Sequence, residues 1–276
     1  MPDFRAALSG TAIEREHRAI DQALSRVAPV AFAWDLAALE PDLLALLRLT
    51  WRERMRVEHR SSAVFAQLAG QLMEANAFLD EQVVMLRMAQ DELRHARTCA
   101  DIVLALGGDP TIDADLAPAP LATHRGVSAE ERALRNVIYT TCLSEMVACA
   151  RFVATLDATT DPMMAAALRR LLSDEVLHGR FGFHYLAARA DRLAAEPALR
   201  DGLARYLVHA FAVIEPELTP TPPFQRPSER ARGYGVEDPA LAHEVFYATI
   251  TGAVIPGLEQ HGIAAADAWR DRRRLA

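Results

Sequence analysis

Apolar residues recur every three to four positions along most of this chain, which is the period of a helix with one buried face. Alternation over two positions, typical of half-buried strands, is scarce. The pattern therefore predicts an all-α protein. Long helices are expected at about 41–76, 78–106, 128–157 and 161–190, and shorter ones near 197–215, 239–252 and 263–274.

Local signals mark the ends of the long helices. Gly107-Gly108 ends the second, Ser128 opens a capping box for the third, and Asp161-Pro162 supplies an N-cap and a first-turn proline for the fourth. The Pro-rich segment 216–236 is expected to be a long loop.

The helical pattern runs on without a domain-scale linker. We therefore expect one helical domain over residues 1–276. Its central bundle is expected at about 41–190, with helical additions at 11–27 and 196–276.

Composition excludes several classes of protein. The net charge of −7 argues against a broad basic surface for nucleic acid. The three cysteines, Cys99, Cys142 and Cys149, form no CxxC pair, so a reducing compartment is expected and a disulfide framework is not. The N-terminus lacks a signal-peptide pattern, and no apolar run approaches the roughly 20 residues that span a bilayer. We expect a cytoplasmic protein that binds neither nucleic acid nor membrane.

Two copies of Asp-Glu-x-x-His interrupt the apolar helical pattern. They are Asp91-Glu92-Leu93-Arg94-His95 and Asp174-Glu175-Val176-Leu177-His178. Residues three apart share a helix face and lie about 4.5 Å apart along the axis. The Glu and His of each motif can therefore bind one ion or two adjacent ions.

Each motif has a further glutamate at a matching distance across a predicted helix hairpin. Glu58 and His95 lie 18 and 19 residues on either side of the turn at position 76. Glu145 and Glu175 each lie 15 residues from the turn at position 160. Antiparallel helices would bring these residues level. All four glutamates lie in apolar stripes, and a buried carboxylate must be neutralised, paired or metal-bound.

Four buried glutamates and two histidines at one level predict a dinuclear metal site. The predicted ligands are Glu58, Glu92, His95, Glu145, Glu175 and His178, with Glu92 and Glu175 bridging. One Glu from each of two helices and Glu-x-x-His from two others is the ligand set of di-iron carboxylate bundles. The alternative is a helical bundle whose buried acids pair with Arg94, Arg151 or Arg180. Glu53, the rival carboxylate on the first helix, has Arg56 and Arg60 beside it and is expected to form solvated ion pairs.

Over about residues 41–190 these motifs resemble the ferritin-like di-iron oxidases and oxygenases. That group includes bacterial multicomponent monooxygenase hydroxylases, ribonucleotide reductase small subunits, acyl-carrier desaturases and arylamine N-oxygenases. The resemblance implies a ferritin-like four-helix bundle with added N- and C-terminal helices, and two iron ions or a manganese–iron pair. It also implies that Asp91 and Asp174 each accept a hydrogen bond from a metal-bound histidine.

Small residues beside the predicted ligands are expected to line a substrate pocket: Ser62, Cys99, Cys142, Cys149 and Gly179. The cysteines also suit a purely space-filling role in the core. In reductase small subunits a radical tyrosine stands at the position of Cys99, so no stable tyrosyl radical is expected here. The third histidine of arylamine N-oxygenases corresponds to Leu171, so that marker is missing.

These observations favour a soluble enzyme that activates O₂ with two irons and oxidises a small organic substrate. Hydroxylation, N-oxygenation and desaturation all remain open. We expect electrons from an external reductase or ferredoxin, and a homodimer is among the expected assemblies. The alternative function is iron storage or peroxide scavenging of the ferritin or rubrerythrin kind, and a third is a non-catalytic, metal-stabilised helical module.

Overall fold

The computed structural model describes residues 12–24, 30–112 and 119–274, and every regular element within them is helical, which confirms the predicted all-α class. The helices are α1 (Ala12–Leu24), α2 (Pro41–Glu74), α3 (Leu79–Ala105), α4 (Ala129–Val137), α5 (Met146–Ala158), α6 (Pro162–Ala187), α7 (Ala190–Ala195), α8 (Pro197–Leu218), α9 (Glu229–Gly233), α10 (Pro239–Thr249), α11 (Ile255–Glu259) and α12 (Ala265–Asp271). Of the helix predicted at 11–27, positions 11 and 25–27 lie outside the described residues.

Polar caps and left-handed turn residues set the ends of the long helices. The Ser128 side chain accepts a hydrogen bond from the backbone N–H of Glu131, and Asp161 accepts one from Met164 at 2.8 Å. Asn76 follows α2 with a φ of 51°, a conformation that asparagine adopts more readily than most residues. These capping bonds and the left-handed conformation of Asn76 mark the helix ends within the two hairpins, α2–α3 and the one formed by the helix Ala129–Ala158 with α6.

The third long helix departs from the predicted regular α-helix. Residues Ile138–Glu145 form a π-helix between α4 and α5, so the helix runs from Ala129 to Ala158 with one wider segment. A π-helix is rare, and it shifts the register of the side chains that follow it. A second π segment, Ile250–Val254, joins α10 to α11 and contacts the first. Glu145 is the last residue of the first π segment.

The long helices pack around a shared interior. α2 pairs with α3 along its length, α6 packs against α5 and the π segment before it, α3 contacts α6, and α2 contacts α4. Two hydrophobic clusters fill the interior, one including Leu68, Met88 and Phe181, the other including Trp51 and Leu168. Burial of these side chains is the main force that holds the helices together.

The C-terminal third covers the outer side of α5 and extends the core. α10 packs on α5, and α12 packs on α8. The long loop predicted at 216–236 is present only in part, because residues 216–218 and 229–233 are helical. α8 continues through Pro216 to Leu218, although a proline has no N–H for the helical hydrogen bond to the carbonyl four residues earlier, and Ser228 caps the short helix α9. The carbonyl of Gly233 accepts hydrogen bonds from Thr160 and Asp161, both at 2.9 Å, and these bonds tie the segment to the α5–α6 turn.

One helix among the described residues is long and apolar enough to cross a membrane. It is Ala129–Ala158, with a mean hydropathy of 1.4 in its most apolar window and 44% of that window buried. The helix carries Glu145 and packs against α6 and α10. Core helices pass the same test of length and composition, so this is only a weak indication of a membrane span.

Candidate metal centre

Four helical segments bring the six predicted ligands together in the interior. Glu58 comes from α2, Glu92 and His95 from α3, Glu145 from the end of the π segment, and Glu175 and His178 from α6. Five of them are at most 5% exposed, and Glu145 alone is half-buried. The helical period places each residue on the face that packs inward.

The ligand atoms form two overlapping groups, each able to hold a metal ion. One group contains Glu58, Glu92, His95 and Glu175; the other contains Glu92, Glu145, Glu175 and His178. Within each group the ligand atoms lie within 4.8 Å of one another. Glu92 and Glu175 belong to both groups, as carboxylates that bridge two ions would.

In the first group, the Nδ1 atom of His95 has no hydrogen-bond partner among the described residues. Its Nδ1 lies 3.0 Å from Glu175 Oε1 and 3.6 Å from Glu58 Oε2. Glu92 Oε2 is 3.8 Å away. Within the described residues none of these atoms has hydrogen-bonding geometry towards Nδ1. Nitrogen and oxygen atoms that converge without hydrogen-bonding geometry are the arrangement expected around a cation.

His178 repeats this geometry in the second group. Its Nδ1 lies 2.9 Å from Glu92 Oε1 and 3.2 Å from Glu175 Oε2, again without a hydrogen bond in the described structure. Buried polar groups are nearly always paired in native proteins. The unpaired atoms therefore fit a site for metal ions, and a set of carboxylate oxygens with imidazole nitrogens suits iron or manganese.

Each motif aspartate lies beside the histidine of the other motif. Asp174 Oδ2 is 3.5 Å from His95 Nε2, and Asp91 Oδ2 is 3.6 Å from His178 Nε2. These distances are longer than those of a hydrogen bond, and neither Nε2 atom has a hydrogen-bond partner in the described structure. The structure places each aspartate next to an imidazole without a hydrogen bond between them, and the histidine beside each aspartate belongs to the other motif.

Two arginines of α3 neutralise the aspartates. Arg94 Nη1 lies 2.6 Å from Asp91 Oδ1 and 3.4 Å from Asp174 Oδ2, and Arg87 Nε lies 2.7 Å from Asp91 Oδ1. Sequence reasoning missed Arg87, although its position four residues before Asp91 is the spacing of a helical ion pair. Asp21 of α1 also contacts Arg94, at 2.9 Å, and no local pattern predicted this long-range contact.

The alternative in which buried glutamates pair with arginines is not what the described residues show. No arginine there forms an ion pair with any of the four glutamates. Arg94 pairs with aspartates, Arg151 donates to Glu237 at 2.6 Å, and Arg180 is exposed. Glu53 accepts a hydrogen bond from Arg56 at 2.9 Å on the surface, as predicted.

Burial and mutual repulsion shift the acidities in the cluster. Burial, followed by the charges of neighbouring glutamates, raises the pKa of Glu92 and of Glu145 well above the usual value. Burial raises the pKa of Glu175 as well, but the two imidazoles outweigh it and the net pKa is lowered. Burial lowers the pKa of His95 and His178, yet their carboxylate neighbours outweigh it and both pKa values rise well above normal. Protons therefore balance part of the negative charge when no cation does so.

Two of the predicted pocket cysteines lie near the ligands. Burial raises the pKa of the Cys99 thiol, and Glu58 and Glu92 raise it further. Cys149 is half-buried, and Glu175 and Glu145 act on it in the same way. Ser62 is 8% exposed and donates its hydroxyl to the carbonyl of His59 at 2.7 Å.

Gly179 and Cys142, two more of the predicted pocket residues, lie at the contact between α6 and the helix Ala129–Ala158. A Cβ on Gly179 would lie 3.5 Å from Met146 Cα, which is ordinary contact with the backbone of α5. A Cβ on Gly182 would collide with Thr141 Oγ1 and Cys142 Sγ. Cys142 is fully buried and fills the space above Gly182. These small residues let α6 and the helix Ala129–Ala158 approach closely.

Comparison with known proteins adds no relative. The chain matches no protein-family model, no curated protein and no solved structure, so its assignment depends on the buried cluster of glutamates and histidines, which is compatible with a ferritin-like di-iron fold.

Proposed function

We propose that this protein is a non-haem di-iron oxygenase or oxidase. In this proposal α2, α3, the helix from Ala129 to Ala158 and α6 form a ferritin-like four-helix bundle around the metals. The observation that carries it is the pair of ligand groups that share Glu92 and Glu175. Four carboxylates and two imidazoles suit two oxygen-preferring, redox-active ions, whereas structural zinc is usually held by cysteine and histidine in closed tetrahedral sites.

In this proposal four of the six ligands each bind one ion, and the other two bind both ions. Glu58 and His95 would hold one ion, Glu145 and His178 the other, and Glu92 and Glu175 both. Two ferrous ions bound there would supply electrons to O₂ and so generate the oxidising power of the enzyme. The half-buried Glu145 is the most accessible of the six ligands, so its side is the proposed approach for O₂ and substrate. A small organic substrate and an external reductase or ferredoxin complete the proposal.

Metal analysis of the reconstituted protein tests the site. We expect about two iron ions per chain after anaerobic loading, because two ligand groups are present. Replacing both shared ligands (Glu92→Ala with Glu175→Ala) should remove most of the bound iron. Glu53→Ala is the matched control, since Glu53 lies on the surface of α2 and should leave the iron content unchanged.

Oxygen uptake tests the activity. The reduced, iron-loaded protein should consume O₂, and the double variant should not. Iron accumulation far above two ions per chain in a large particle would contradict the proposal and favour storage. Rapid peroxide consumption without O₂ uptake would favour scavenging.

A further inference from the structure

Arg54 carries a buried hydrogen-bond donor that nothing in the described structure satisfies. It lies on α2, one helical turn before Glu58, and forms no ion pair with any described acidic residue. Its guanidinium carbon is 4.9 Å from the centre of the Trp51 ring and 4.7 Å from that of Phe152. The cation is therefore held between two aromatic rings, one from α2 and one from α5. Its Nη1 is buried and has no acceptor among the described residues.

Trp51 supplies a second unsatisfied donor at the same place. Its side chain is 0% exposed, and its Nε1 has no hydrogen-bond acceptor in the described chain. A buried indole N–H usually finds a partner. Two neighbouring donors, one of them charged, thus lack an acceptor among the residues that the structure describes. A bound anion would supply the missing acceptor.

These donors lie close to the candidate metal centre. Trp51 precedes Glu58 by two helical turns, and Phe152 follows Glu145 by two turns. Four residues of helix span about 6 Å, so the backbone of Arg54 lies about one helical turn from that of the ligand Glu58. The Cys99 thiol lies within electrostatic range of both Arg54 and the ligand Glu58, because Glu58 raises the pKa of the thiol while Arg54 opposes that rise.

We propose, building on the function proposed above, that Arg54 and Trp51 bind the carboxylate of the substrate, and that the substrate is a small organic monocarboxylate. A guanidinium presents parallel N–H donors that match a carboxylate. One cationic and one neutral donor suit a single negative charge. The hydrophobic cluster that contains Trp51 also contains Met55 and Leu168, and its apolar side chains suit the organic part of such a molecule.

Binding of matched probes tests the proposal without turnover. Benzoate and hexanoate are titrated into the iron-loaded full chain by calorimetry, each against its uncharged primary amide. At least one carboxylate should bind about tenfold or more tightly than its amide, which is the order expected for a charged hydrogen bond. Arg54→Met should remove most of this preference. Arg60→Met, on the exposed face of the same helix, should keep it.

A second variant guards against misfolding. Trp51→Phe keeps an aromatic ring but removes the N–H, so it should weaken the carboxylate preference several-fold. Circular dichroism establishes that each variant is folded. If Arg54→Met does not fold, an unchanged preference in folded Trp51→Phe overturns the proposal.

Other outcomes also decide the matter. Equal affinity for carboxylate and amide in the wild-type chain overturns the proposal, and so does the absence of binding by every probe. A carboxylate held by iron instead of by Arg54 would keep its preference in Arg54→Met. Loss of O₂ uptake with a retained, Arg54-dependent preference would refute only the oxidative function.

Discussion

At the scale of single residues, the centre depends on what fixes its two imidazoles. Asp174 lies 3.5 Å from His95 Nε2 and also contacts the guanidinium of Arg94. Asp174→Asn keeps the shape but removes the charge that orients His95. We expect metal affinity to fall by about 10–100-fold, the usual effect of losing such a partner. Metal titration with competing chelators measures this.

The control for that variant is Asp101→Asn on α3. Asp101 pairs with Arg97 at 2.9 Å, and its side chain is 42% exposed. Its loss should leave metal affinity unchanged. Equal affinities in the wild type and Asp174→Asn would show that the imidazole needs no carboxylate behind it.

Metal binding should release protons. The pKa values of Glu92, Glu145, His95 and His178 are all raised in the metal-free cluster, so these groups retain protons at pH values where free side chains lose them. A metal ion must displace those protons, and affinity therefore rises with pH and falls as the solution becomes acidic. Affinities measured at pH 6 and pH 8, with an indicator dye to count protons, test the sign. Affinity independent of pH would contradict it.

At the scale of elements, close contact between α6 and the π segment sets the width of the interior. A Cβ on Gly182 would lie 3.1 Å from the backbone nitrogen of Cys142 and collide with two side chains. Gly182→Ala should therefore destabilise the fold by about 1–3 kcal/mol, as overpacking does. Gly70→Ala is the control, because nothing lies within 4 Å of a Cβ there and alanine favours a helix. Chemical denaturation compares the two, and equal stability of Gly182→Ala and wild type would disprove the close contact.

Helix type and approximate bounds followed from periodicity and capping residues. Ser128 and Asp161 cap α4 and α6 as expected. The π segment at Ile138–Glu145 was not predictable, since its side chains are compatible with an ordinary helix. The segment packs against α6 and the second π segment, and these tertiary contacts leave no pattern in the local sequence.

At the scale of the whole molecule, the fold should not require its metals. Two large clusters of buried apolar side chains hold the helices together. The metal-free chain should therefore keep its helical circular dichroism at 25 °C. Metal should still raise the unfolding temperature, by an amount that corresponds to about 2.7 kcal/mol when free metal is 100 times the dissociation constant. Loss of helicity on chelation would mean that the core alone is insufficient.

The sequence by itself determined the helical class, the long hairpins and the six Glu and His side chains of the candidate centre. These follow from local rules: a 3.6-residue period, capping residues and the i, i+3 spacing of Glu-x-x-His. Interactions between residues that are close in the sequence can be recognised from the sequence alone.

Only the tertiary structure decided which groups meet across helices. It placed Asp91 beside His178, Asp174 beside His95, and Arg54 against aromatic rings of two helices. It also showed that Gly182 lies in close contact with Thr141 and Cys142. Such contacts depend on the rotation and separation of packed helices, which are set by the sum of many side-chain volumes and not by any local motif.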